Sequence, residues 1–235
     1  MAIEKISVTI ITLNEEKNLQ KCLSSLTYFD EILVIDSGST DQTTDIAEKH
    51  GAKVIQQDWL GFGPQKQFAV SHAKNDWVLS IDADEMLSKE LLTNIRSLDL
   101  HKPQLAYSIN RRSFFLGKEV KHSGWNPDWV IRLFNKNHCH FTEDKVHEKV
   151  TGYQTIQKLD GLMYHHTYQT LFDIKDKTVK YGQLGKLSRK KAKNKYFNAG
   201  WSFFRTFFLQ FGFLDGLTGY QIAKMNAKTN FIKYS

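Results

Sequence analysis

The first hundred residues alternate short apolar runs with amphipathic stretches. Runs at 6–13, 31–35, 53–55 and 77–81 are nearly continuous in Val, Ile and Leu, which predicts strands covered on both faces. Between them, residues 18–26, 41–50, 64–73 and 88–98 show helical spacing, with Gly51 closing the second. Pro64 occupies the first-turn position that proline tolerates. Ser88 precedes Leu91, Leu92, Ile95 and Leu98, which share one helical face. The alternation predicts an α/β fold, a mostly parallel sheet with helices on its faces.

Residues 105–164 change character. Strand candidates at 106–110, 130–134, 138–141 and 156–159 lie among Trp, His, Asn and Arg. From Tyr168 a lysine-laden helical pattern runs to about Lys195, and the shift in composition predicts a boundary between residues 1–167 and a basic, aromatic helical extension, 168–235. On one continuous helical wheel from Trp201 to Leu214, Trp201, Phe203, Phe204, Phe207, Phe208, Phe211 and Leu214 fill a broad apolar sector. Ser202, Arg205, Thr206 and Gln210 lie opposite.

Charge sharpens the division. The 235-residue chain carries +7, but Thr170–Ser235 holds 13 Lys/Arg against three Asp, a net +10, which leaves the first 169 residues at −3. A basic tail on a slightly acidic body suits an anionic membrane surface or a solvated helix face. Nucleic acid is disfavoured, because the body is acidic and no RNP or KH signature occurs. Two cysteines, Cys22 and Cys139, make no disulfide framework and predict a reducing compartment. No run reaches the ~18 apolar residues of a spanning helix. The first apolar run meets Asn14-Glu15-Glu16 instead of a cleavage site, so a cytoplasmic protein is expected.

Polar residues just past strand ends face the ligand crevice of such sheets. Here they are Asn14-Glu15-Glu16, Asp36-Ser-Gly-Ser39-Thr-Asp41 and Asp82-Ala-Asp84-Glu85. Asp82 and Asp84 are paired carboxylates that suit Mg²⁺ or Mn²⁺ beside a phosphate; the competing reading is that Asp84-Glu85 caps the next helix. Residues 36–41 read either as an ordinary strand–turn–helix connection or as a turn whose Asp36 accepts hydrogen bonds from a nucleobase or ribose. Neither GxGxxG nor GxxxxGK[ST] occurs, which disfavours NAD enzymes and ATPases. His138-Cys139-His140, with Glu143 and His147, lacks any zinc spacing. His165-His166 is expected to pack or touch an acceptor.

Taken in order, Ile-Thr12-Leu-Asn14-Glu15-Glu16, Val34-Ile-Asp36-Ser-Gly-Ser39-Thr-Asp41, Gly61-Phe-Gly-Pro-Gln-Lys66 and Asp82-Ala-Asp84 resemble glycosyltransferase family 2. Phe115-Leu-Gly117, His122-Ser-Gly-Trp125-Asn-Pro-Asp128, Val130-Ile-Arg132-Leu133, Val146-His147-Glu148 and Gly212-Phe-Leu-Asp215-Gly216 resemble a narrower group, the lipopolysaccharide inner-core β-1,4-glucosyltransferase-like subfamily.

The resemblance implies a GT-A nucleotide-diphospho-sugar transferase fold, a Rossmann-like mixed sheet with a C-terminal helical extension. It implies inverting transfer of a hexose, glucose from UDP-glucose, to a heptose of a lipid-anchored lipopolysaccharide core. Thr12, Asn14, Glu15, Asp36, Ser39, Lys66 and Asp82 would hold the nucleotide sugar, and Asp84 with Asp82 the Mg²⁺ or Mn²⁺. His122, Trp125, Asp128, Arg132 and His147 would contact acceptor or phosphate. Inversion needs a carboxylate to take the acceptor proton; Glu148 is the first candidate and Asp144 the second. The enzyme would sit peripherally on the inner face of the cytoplasmic membrane. The alternatives are a family 2 transferase with another polysaccharide, polyprenyl or protein acceptor, and a non-catalytic sugar-nucleotide-binding protein.

Overall fold

The structure, a computed structural model, describes residues 3–144, 148–187 and 194–235. In chain order the elements are β1 (Ile3–Thr12), α1 (Glu16–Ser24), β2 (Phe29–Asp36), α2 (Thr43–Lys49), β3 (Lys53–Gln56), α3 (Phe62–Ser71), β4 (Trp77–Asp82), β5 (Glu85–Leu87) and α4 (Lys89–Arg96). They continue as β6 (Leu105–Phe115), β7 (Lys118–Glu119), β8 (Asp128–Asn135), β9 (His140–Phe141), β10 (Val150–Thr151), β11 (Thr155–Tyr168), α5 (Leu171–Leu187), α6 (Lys195–Phe204) and α7 (Leu217–Lys233).

The chain forms two compact units. The first comprises the chain up to Arg111 with Trp129–His165; the second comprises Arg112–Asp128 with His166–Ser235. The composition shift at Tyr168 lies two residues inside the second unit, and the excursion 112–128 that joins that unit has no compositional signal.

The main sheet has the order β3-β2-β1-β4-β8-β6-β11-β5, with β7 paired onto β6. β1 runs parallel to β2 and β4, and β2 parallel to β3. β8 enters antiparallel to β4, and β5 antiparallel to β11, so the sheet is mixed. β1, β2 and β4 are buried on both faces, whereas β3, at the sheet edge, is only partly buried at Val54 and Ile55. Ile6, Val8 and Ile10 of β1 pack with Leu19 and Leu23 of α1 and Leu91 and Ile95 of α4. Leu33 and Ile35 of β2 pack on Ala69 of α3. Ser88, not Asp84-Glu85, caps α4 by accepting from the Leu91 N–H at 3.1 Å; Glu85 instead begins β5. Registers Thr12 with Asp36 and Ile11 with Asp82 bring the ends of β1, β2 and β4 level.

In the second unit α7 packs against α5 and α6, around Phe115, Val120, Tyr168, Ile222 and Met225. The continuous helix expected over 201–214 does not form. α6 passes into a π-helical turn (Arg205–Leu209), breaks at Phe211 (φ 56°) and resumes as a short 3₁₀ turn (Gly212–Asp215) before α7. Glycine is the reason: a Cβ on Gly219 would lie 1.8 Å from the Gly212 carbonyl oxygen, so the start of α7 rests directly on that turn.

Candidate active site

The first two βα loops are laced together at the C-terminal edge of the sheet. Asn14 adopts the left-handed conformation (φ 55°), which asparagine tolerates. Its N–H donates to Ser39 Oγ at 2.8 Å and its Oδ1 accepts from the Thr40 N–H at 2.9 Å. The Glu15 N–H donates to Thr43 Oγ1, and the Glu15 carboxylate accepts from Asn18. Asp36 is buried at the end of β2. Its Oδ2 accepts from the N–H groups of Gly38 (3.0 Å) and Ser39 (2.8 Å), and its Oδ1 from the hydroxyls of Thr12 (3.1 Å) and Ser39. Burial pushes this carboxyl up, but those donors outweigh it and hold the pKa below the ordinary value. Four donors occupy the acceptor sites of this carboxylate, so Asp36 and Thr12 shape the loop at the edge where the nucleotide is expected.

Beyond this loop lies a file of alternating charges. Glu148 Oε1 meets Lys66 Nζ at 2.7 Å, and Lys66 meets Asp82 Oδ1 at 2.9 Å. Asp82 Oδ2 meets Arg132 at 2.7 Å, Arg132 meets Glu85 Oε1 at 2.6 Å, and Glu85 meets Arg111 at 3.4 Å. Five elements supply five of these groups: α3 gives Lys66, β4 and β5 the carboxylates Asp82 and Glu85, β8 Arg132 and β6 Arg111. Lys66, Arg132 and Glu85 are buried, so the three cations and three anions answer one another. Glu85 Oε2 also accepts from the Asp82 N–H at 2.9 Å, fixing the turn between the two aspartates. Burial would raise the Asp82 carboxyl; the charges of Arg132 and then Lys66 outweigh this and hold it well below the usual carboxylate range. Burial would lower the Arg132 guanidinium, but Asp82 and Glu85 outweigh it and raise it above its ordinary value.

Both oxygens of Asp82 are thus engaged by cations. Asp84 lies differently: its Oδ2 is 3.3 Å from His165 Nε2, where β11 runs beside β5. A carboxylate and an imidazole at that separation are a donor pair that fits a divalent ion such as Mn²⁺, with remaining positions left to phosphate oxygens and water. No cluster of three or more His, Cys, Asp or Glu donors occurs among the described residues. Cys139, of the His138-Cys139-His140 run, is buried in the core with Phe134 and Phe141, and burial pushes its thiol up.

Asp144 is exposed, and its carbonyl accepts from the Gly63 N–H at 3.2 Å at the start of α3. Gly63 is required there, since a Cβ would lie 2.0 Å from the Thr142 carbonyl oxygen. His147 lies outside the described residues. His122, Trp125 and Asp128, expected at the acceptor, belong to the second unit. His122 Nδ1 lies 3.1 Å from Asp215 Oδ1, and Ser123 Oγ donates to Asp215 Oδ2 at 2.8 Å. Trp125 stacks on Tyr168 at 5.7 Å. Both therefore hold that unit together. The sequence assigns Arg111 no role and offers Glu85 only as part of a helix cap; the signal for Glu85 was its place directly after Asp82-Ala-Asp84.

A parallel-strand edge carrying shaped loops, an Asp-x-Asp turn and a buried file of ion pairs is where α/β sheets of this kind bind their ligands. The comparisons make the class specific. The sequence model of glycosyl transferase family 2 matches residues 7–159. An uncharacterized glycosyltransferase of Rickettsia typhi is 33% identical over 98% of this chain and 85% of its own length. The lipopolysaccharide core biosynthesis glycosyltransferase LpsC of Rhizobium meliloti is 32% identical over 62% of this chain and 56% of its own. The chain belongs to glycosyl transferase family 2. Its fold is GT-A-like: S. aureus TarS, residues 1–349, in complex with UDP-GlcNAc, shares it at TM-score 0.51 and 20% identity, over 95% of this chain and 79% of that one.

Proposed function

We propose that this family 2 enzyme transfers a hexose, with inversion, from a UDP-sugar to a heptose hydroxyl of a lipid-anchored lipopolysaccharide inner core. The observation that carries the reading is the ion file, which places Lys66 and Arg132 on the Asp-x-Asp turn and a carboxylate, Glu148, at its end. The LpsC likeness over residues amounting to 62% of the chain supports the acceptor class, and the UDP-GlcNAc bound by TarS supports the donor class.

In this reading Asp84, with His165 beside it, holds Mg²⁺ or Mn²⁺. The ion supplies charge for the leaving diphosphate. Lys66 and Arg132 add fixed positive charge next to that turn. Glu148, anchored through Oε1 to Lys66, takes the proton as the acceptor oxygen bonds to the anomeric carbon. The bond from that carbon to the diphosphate breaks, and its electron pair leaves on the phosphate oxygen. Asp144 is the second candidate base, because its backbone is pinned against the start of α3 while its side chain is exposed. The test is mass spectrometry of lipopolysaccharide from a strain lacking the protein. Loss of one inner-core hexose is expected; an unaltered core would assign the transfer to another acceptor.

A further inference from the structure

α6 and the π turn that follows it bury a polar side and expose an aromatic one. Along α6 and the π turn, Ser202 and Thr206 are 4% and 0% exposed, whereas Trp201, Phe204, Phe208, Phe211 and Leu214 are between 44 and 58% exposed. The inward polar side is satisfied by α7: Asn230 Nδ2 donates to Ser202 Oγ at 3.0 Å and Asn226 Nδ2 to Thr206 Oγ1 at 3.2 Å. The outward rings support one another, Trp201 on Phe204 at 5.9 Å and Phe204 on Phe208 at 5.2 Å. A stripe of contiguous exposed aromatics on a water-facing surface marks a binding site.

The charge of the segment that carries the stripe points to the occupant. From Lys195 to Ser235 the sequence holds four lysines and one arginine against a single acidic side chain, Asp215. Asp215 is turned inward, its carboxylate 5% exposed and held by His122 and Ser123. Arg205, Lys224 and Lys228 are exposed. The exposed side-chain charge of this segment is therefore all positive. A second copy meeting the face would bring like charges together, which opposes association. Anionic phospholipid headgroups answer the charge, and an acyl boundary accepts the rings.

We infer that the face formed by α6, the π turn and the 3₁₀ turn docks on an anionic phospholipid surface, with Phe204, Phe208 and Leu214 entering the interface. Among the described residues no helix is long and apolar enough to cross a membrane, so the mode is peripheral. The inference deepens the reading above by naming the surface that meets the lipid. Its test reads lipid binding and not transfer, so either can fail alone.

The experiment is co-sedimentation of the full chain with vesicles of phosphatidylethanolamine and phosphatidylglycerol, beside vesicles of phosphatidylcholine alone, over a salt series. Binding to the anionic vesicles that weakens with salt yet keeps a salt-resistant part is expected. Phe204→Glu with Phe208→Glu should weaken binding by roughly 10- to 100-fold, since two half-exposed rings lose their burial and each gains a charge at the interface. Leu214→Glu with Leu217→Glu, at positions further from the ring stack, serves if the first pair alters the circular dichroism spectrum. No binding by the wild type, or undiminished binding by a folded pair, overturns the proposal. So does a wild-type dimer that either pair converts to monomer, because the face would then be an interface between copies.

Discussion

Replacing Glu85 with glutamine removes one charge from the file and little else. The side chain is wholly buried, and its oxygens serve Arg132 at 2.6 Å, Arg111 at 3.4 Å and the Asp82 N–H at 2.9 Å. Glutamine keeps the shape and one acceptor oxygen. It leaves Lys66, Arg132 and Arg111 facing only Asp82 and Glu148. Removing one partner of a buried ion pair costs about 3–5 kcal/mol. The lower figure applies, because the Arg111 side chain is 24% exposed and can relax toward water. For a chain of this length each kcal/mol moves Tm by about 2–4 °C, so about 3 kcal/mol predicts a fall of roughly 6–12 °C. Scanning calorimetry of wild type, Glu85→Gln, Arg132→Met and the double variant gives a double-mutant cycle. Contacting charges predict that the double variant loses clearly less than the two single losses combined. A Tm change under about 1 °C for Glu85→Gln, or strictly additive losses, would show that the file is solvated and structurally idle.

Three further outcomes follow from the same geometry. Asp84→Asn should abolish the metal dependence of UDP binding measured by titration calorimetry while the fold persists; a wild type that binds UDP equally with and without Mg²⁺ or Mn²⁺ contradicts the assignment. Glu148→Gln should lower kcat by about 10²–10⁴-fold with donor affinity little changed; near-normal turnover there, with the loss falling on Asp144→Asn, moves the base to Asp144. Asp36→Asn should cost roughly 1–3 kcal/mol by leaving donors of the loop unanswered. Because the Asp36 pKa is depressed from 3.8 in the folded state, the wild type's advantage is complete above that pH and is lost as pH falls through the folded value. Urea midpoints across an acid series check this, and a constant difference between the two proteins refutes it.

The strands β1, β2 and β4 were legible because they are covered on both faces and read as nearly unbroken apolar runs. The loop residues Asn14, Asp36 and Ser39 were legible as a cluster because they follow those runs directly. Their division of labour was not. Whether a carboxylate faces a ligand or its own loop depends on which N–H groups the turn presents, and the turn closes only when Thr12 and Asp36 pair across β1 and β2. Glu85 was hidden for a different reason. β5 is three residues long, too short to show a period, and its partners come from β8 and β6, 47 and 26 residues away along the chain. For His122 and Trp125 the sequence shows a Trp- and His-rich polar stretch but not the contacts these side chains make within the second unit. His122 meets Asp215, 93 residues away, and Trp125 meets Tyr168; sequence offers no local sign of either contact.

The tail shows the same limit most clearly. Hydrophobic periodicity locates a stripe on a helix, but it does not say which side of the helix the protein keeps. Rings on one side and Ser202, Arg205 and Thr206 on the other fit a helix buried by its rings as well as one buried by its hydroxyls. The deciding residues are elsewhere, in Asn226 and Asn230 of α7, which give the inward hydroxyls partners that water would otherwise supply. The glycines decide the rest: α7 reaches the Gly212 turn only because Gly219 has no side chain, and that contact breaks the stripe into short segments. A continuous amphipathic helix could have been buried along its whole length by one partner. Two segments joined at Phe211 instead present their rings outward while α7 satisfies the hydroxyls behind them, which is the arrangement a protein needs to meet an apolar boundary without leaving its own polar groups there unpaired.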